Sequence, residues 1–182
     1  MNKASKEIPE AAEIIDFEDY IKNIDQEKVD EYFNESSKGA EELLNDEDKM
    51  EKFLQKLEKK FKAIPSVGNA LAYMPIMISL VRSYVKKDYT ELPITSIISI
   101  IVALAYFLSP VDLIPDVVPG AGYVDDALII SACVALVKTD IDDYLIWRKE
   151  QGLVLEDIPE YNDIAKDAKE INKFAKVFFK KK

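Results

Sequence analysis

Four aspartates, Asp112, Asp116, Asp125 and Asp126, crowd one stretch of chain among Leu113, Ile114, Val117 and Val118. Burying carboxylates in such surroundings is costly unless something compensates their charge. The compensating group is backbone N–H, a basic side chain, or a bound cation. A hard divalent ion such as Mg²⁺ or Ca²⁺ prefers an all-oxygen set of this kind, and would open a hydrolytic role. Between Lys87 and Lys138 there is no lysine or arginine at all. The chain's two arginines, Arg82 and Arg148, are therefore the candidate ion-pair partners that reach over from outside. A calcium loop of EF-hand spacing is absent, including at Asp140–Asp143, where the glycine and the final glutamate are missing.

Other chemistry is excluded by residue type. There is no histidine and a single cysteine, Cys133. Histidine-dependent metal sites, Ser-His-Asp and Cys-His nucleophiles and intramolecular disulfides all need residues the chain lacks. Cys133 sits in an apolar run and reads as a small core residue. The net charge of -10 argues against nucleic acid as a partner, which calls for a basic face. That charge is uneven: residues 1–58 carry a net -10, and residues 164–182 a net +5.

The stretch Ser109-Pro-Val-Asp-Leu-Ile-Pro-Asp-Val-Val-Pro-Gly-Ala-Gly-Tyr-Val-Asp-Asp126 also has a purely structural reading. Ser109, Pro110 and Asp112 suit the N-cap, N1 and N3 positions of a one-turn helix. Pro115 and Pro119 limit that turn, and Gly120 and Gly122 permit the positive φ that reverses a chain. Asp125 and Asp126 fall at the start of the next helix, where the dipole favours negative charge. On this reading the carboxylates lock a bend and catalyse nothing.

The same residues carry a resemblance. Ser-Pro-x-Asp-Leu-Ile-Pro-Asp, then Pro, then Gly-x-x-Asp-Asp, between two apolar helices, resembles the signature of the YkvA-like family, a bacterial domain of unknown function. The likeness spans about residues 88–138, and Leu92-Pro93 suits it too. Val111, Val117, Val118 and Ala121 are smaller than is common there. The resemblance implies no established activity; members are often described as membrane proteins.

The elements that must position this motif are helices. Apolar spacing predicts helices over 10–22, 26–35, 38–62, 66–87, 93–108, 125–138, 140–151 and 159–180. Leu43, Met50, Leu54, Leu57, Phe61 and Ile64 form a heptad-type seam expected to pack on the rest of the domain, with a homodimeric coiled coil through residues 43–64 as the sharper alternative. Pro75 is expected to kink its helix, Pro93 to lie in a first turn, and Gly152 to end the helix before it. The fold class is all-α: a helical bundle around a helix–loop–helix hairpin with a Pro/Asp/Gly-rich connector. It divides into an acidic region (1–62), a core (63–151) and a basic-ended amphipathic helix (152–182).

Residues 63–81 and 92–111 are free of charge, as a membrane span would be. Lysines or arginines flank the first run on both sides, and the partner run 127–137 spans only about 16 Å as helix against a bilayer core of about 30 Å. The expectation is a cytoplasmic chain, soluble or peripheral to the membrane and not secreted, with a shallow inserted hairpin as the alternative. Seven lysines with Phe174, Phe178 and Phe179 give the tail a composition suited to an anionic surface or to the acidic body. The functional reading leans away from an enzyme and toward a scaffold or interaction module, its partner a protein or a membrane surface.

Overall fold

The computed structural model describes residues 26–64, 71–109, 124–153 and 179. Among these there are six α-helices, one 3-10 turn and no strand, so the fold is all-α. The helices are α1 (Gln26–Leu44), α2 (Glu47–Lys62), α3 (Met74–Val85), α4 (Ile94–Leu108), α5 (Val124–Leu136) and α6 (Lys138–Glu150), with the 3-10 turn Leu71–Tyr73 leading into α3. The helices expected over 10–22 and 159–180 lie outside the described residues, apart from Phe179.

α4 is the centre of the bundle. Nine of its fifteen residues are buried, from Ile97 to Phe107, and α1, α2, α3 and α5 all pack against it. Its isoleucines and valine favour strand locally. Enclosure by four helices outweighs that preference, because burial on every side rewards a cylinder that satisfies its own backbone bonds. Ser99, within this apolar surface, satisfies its hydroxyl by donating to Thr95 O at 2.8 Å.

The N-terminal helices differ from expectation in where they break. α1 runs without interruption through Ser36, Ser37 and Gly39. Val29 and Ala40 bury against the core from either side of that stretch, and this packing outweighs its weak helix propensity. The break falls instead inside the heptad seam, at Asn45–Asp46. Asp46 adopts an extended backbone and accepts from Lys49 N at 3.0 Å, an N-cap that starts α2. Leu43 therefore belongs to α1, while Met50, Leu54 and Leu57 point from α2 into the core, each 1% exposed or less. The seam faces inward. The core also runs across the division drawn at residue 62, since Val29 through Leu57 share one cluster with Leu71 through Tyr144.

Pro75 does not kink a long helix. It lies in the first turn of α3, where its missing N–H would have had no partner anyway. Pro93 is the N-cap of α4 rather than a first-turn residue; its carbonyl accepts from Ser96 N and Ile97 N. Gly152 ends α6 as expected. It has φ +71, its N–H reaches Lys149 O, and Leu153 N reaches Arg148 O at 2.8 Å, the paired bonds of a Schellman cap.

Candidate functional site

The candidate site is the hairpin α4–connector–α5 and the groups that fasten it. Ser109 closes α4 with an extended backbone (ψ 142), its N–H bonded to Ala105 O and Tyr106 O. An extended residue before proline is what the Pro110 ring demands, so the helix stops there. Pro110, Asp112, Pro115, Asp116, Pro119 and Gly122 lie outside the described residues. Asp125 falls in the first turn of α5 by its backbone. Asp126 follows it and is 9% exposed, a carboxylate at the positive end of the helix.

Asp126 is close enough to α1 to be felt there. The Tyr32 phenol is pushed up to about 12, chiefly by burial; the Asp126 charge raises it further and a hydrogen bond with Ser36 opposes both. The Tyr32 ring meets Tyr106 of α4 edge-on, with centroids 5.4 Å apart and planes at 84°. α1 thus covers both the exit from α4 and the entry to α5.

Among the described residues, a lysine reaches the C-terminal end of α4. Lys60, in the last turn of α2, donates from Nζ to the carbonyl of Phe107 and lies 4.6 Å from that ring's centroid. A cation at the C-terminal end of α4 complements its dipole, which no charge of its own does.

Arg82, a candidate partner for the connector's aspartates, is engaged by two glutamates of α2. It grips Glu51 with two bonds of 3.1 Å and Glu58 with one of 2.9 Å, fastening α3 to α2. The Arg82 hydrogen bonds hold the Glu51 carboxyl below its ordinary range, against the effect of burial. Arg148 likewise turns inward. Its Nη1 donates to Ser79 Oγ at 2.6 Å and to Tyr144 Oη at 3.3 Å, and its Nε to Leu153 O at 3.0 Å. Tyr144 is wholly buried, and its hydroxyl shares hydrogen bonds with Ser79 Oγ (2.9 Å) and Ser83 Oγ (2.8 Å). Tyr89 and Trp147 pack on the same ring at 5.1 and 5.6 Å. This knot ties α6 to α3.

Cys133 is completely buried and its thiol is pushed far up by desolvation, which makes it a packing residue rather than a nucleophile. Asp142 pairs with Lys138 within α6, and Asp140 lies in that helix's first turn.

Residues 96–132 match the family described as a protein of unknown function, DUF1232. Over 78 residues the chain is 27% identical to the uncharacterized membrane protein YkvA of Bacillus subtilis (strain 168), an overlap covering 43% of this chain and 74% of that protein. The centre of this chain is similar to a YkvA-like domain of unknown function. No solved structure matches the chain. The matched stretch holds most of α4, the connector and most of α5. The YkvA-like hairpin is therefore the element that the other described helices surround. Among the described residues, no helix is long and apolar enough to cross a membrane. α4 itself has fifteen residues, about 22 Å of helix against a bilayer core of about 30 Å.

Several fastening residues escaped the sequence reading. Ser79 and Ser83 stand four apart on a helix whose other residues, Arg82 aside, are largely apolar, a spacing that marks a shared polar face. Tyr32 and Lys60 carry no comparable signal, because each acts on a helix far away in sequence.

Proposed function

We propose that this chain is a non-enzymatic helical module that scaffolds or binds a partner at or beside a membrane surface. The observation that carries this reading is the enclosure of α4. The most apolar helix of the bundle is packed on its sides by α1, α2, α3 and α5 of the same chain. Lys60 and Asp126 with Tyr32, beside it, and the Tyr144 knot between α3 and α6 tie helix to helix. Such a module meets a membrane from outside, through its surface. The name of the Bacillus subtilis relative agrees with a membrane location.

The test is fractionation of cells that express the tagged chain. Recovery with membranes, followed by release in alkaline carbonate, supports a peripheral module. Resistance to carbonate with release by detergent would replace it with an inserted hairpin. A wholly soluble monomer with no co-purifying partner would remove the basis for the proposal. A rise in Tm with millimolar Mg²⁺ or Ca²⁺ would instead favour a carboxylate metal site on Asp112, Asp116, Asp125 and Asp126.

A further inference from the structure

α2 keeps its charges of opposite sign apart. Arg82 holds Glu51 and Glu58 against α3, and Lys60 turns to the carbonyl of Phe107. At about 100° per residue, Lys49, Lys52, Lys56 and Lys59 fall within an arc of about 80°. That arc lies roughly opposite Met50, Leu54 and Leu57, which point into the core. All four lysines are exposed. Asp46, the N-cap, counters Lys49 at 3.3 Å. Among the described residues, Lys52, Lys56 and Lys59 form no ion pair. Uncompensated positive charge therefore grows toward the C-terminal end of α2, where Lys62 is also exposed. This basic face belongs to a protein with a net charge of -10.

We infer that the Lys52–Lys56–Lys59 face of α2 is the surface by which this chain docks on anionic lipid headgroups. The three ammonium groups are spread along about 10 Å of one rigid helix, so they can meet a charged plane together. Their type suits a diffuse target. A lysine is a hydrated point charge on a flexible stem, whereas shaped recognition of a single phosphate or carboxylate favours the fork of arginine, and α2 carries no arginine. The large apolar residues of α2 are buried or packed against the core, Phe53 among them, and none is left to enter acyl chains. Docking is therefore electrostatic alone and is screened by salt. The acidic body disfavours the many simultaneous phosphate contacts that a nucleic acid calls for. This inference rests on the peripheral-membrane reading and adds to it the surface and the lipid class.

The test is sedimentation of the full chain with vesicles of phosphatidylcholine alone or with about 30% phosphatidylserine, which gives a negative surface potential. Wild type should bind the phosphatidylserine vesicles at about 0.1 M salt, lose them at about 0.5 M, and ignore phosphatidylcholine. The triple variant Lys52→Gln, Lys56→Gln, Lys59→Gln should bind them on the order of a hundredfold more weakly, each lysine near a charged surface counting about fivefold. Lys38→Gln, Lys86→Gln, Lys149→Gln removes the same charge from exposed positions on α1, at the end of α3 and on α6. It should change the affinity by about threefold or less. Melting curves check that both variants stay folded; should the α2 variant not, Lys56→Gln and Lys59→Gln singly, at about fivefold each, take its place. Equal losses in the two triple variants, or no loss in the α2 variant, would overturn the assignment of this face while leaving the membrane reading intact. Wild type that binds neither vesicle would overturn both. Binding of duplex DNA or RNA through the same three lysines, with no vesicle binding, would assign the face to nucleic acid and also overturn the lipid inference.

Discussion

The ammonium of Lys60 lies 4.6 Å from the centroid of the Phe107 ring and donates to the carbonyl of the same residue, across 47 positions of sequence. One cation from α2 thereby caps a helix that carries no charge and braces the ring beneath it. Lys60→Met keeps the aliphatic stem and deletes the charge. It should cost about 1 to 2 kcal/mol, through a charge-assisted hydrogen bond and a cation–π contact. For a chain of this length that corresponds to a fall in Tm of roughly 2–8 °C by calorimetry. Lys60→Arg should recover part of the loss.

The Tyr144 knot answers differently to its two kinds of member. Tyr144→Phe leaves Ser79, Ser83 and Arg148 without their common partner in a buried setting, and should cost about 1 to 3 kcal/mol by urea denaturation. Ser83→Ala should cost less, because Ser79 and Arg148 still serve the Tyr144 hydroxyl.

Acid should loosen α2 from α3. The Glu51 carboxyl is held low in the folded chain, so its contribution is present above the unfolded value near pH 4.3 and is lost as pH falls through the folded value. Glu51 and Arg82 are 37% and 27% exposed, and solvent screening keeps the contribution near about 0.5–1 kcal/mol. Glu51→Gln should lower stability by that amount at pH 7. The melting temperatures of variant and wild type should converge as pH falls through the folded Glu51 value.

Alkali should act on the other side of the bundle. The Tyr32 phenol is raised to about 12 by burial and by Asp126, so the folded chain retains its proton more tightly than the unfolded one. Stability from this group is full below about pH 10 and is lost as pH rises toward 12. Tyr32→Phe should flatten that alkaline decline. Asp126→Asn should lower the Tyr32 value in an ultraviolet titration; an unchanged phenol would separate α1 from the start of α5.

The inward seam of α2 predicts stability without assembly. Leu54→Ala should cost about 2–5 kcal/mol, as for a fully buried leucine. The loss should be independent of protein concentration. A dependence on concentration would show that residues 43–64 also hold two copies together.

Much of the fold was legible because it is written in local periodicity. The bounds of α4, α5 and α6 lie within two residues of the expected ones, and Gly152 ends its helix for the conformational reason its type suggests. The α1–α2 break was missed because a heptad spacing continued across Asn45–Asp46, although Asp46 followed by Lys49 N–H is an ordinary cap. Pro75 was misplaced for a similar reason: an apolar run reads alike on either side of a helix start. The partners of Arg82 and Arg148 were not legible, because ion pairing depends on which helices meet. The sequence offers Arg82 as a partner for the connector's aspartates, and packing brings it to Glu51 and Glu58.

Amide hydrogen exchange of the purified chain in detergent-free buffer addresses the central claim, that α4 is the enclosed middle of this chain's own bundle. The account predicts that amides of residues 97–107 exchange slowest of all, at the rate of global unfolding, with no lipid present. Rapid exchange there in buffer, with protection gained only on adding detergent or bilayers, would contradict it.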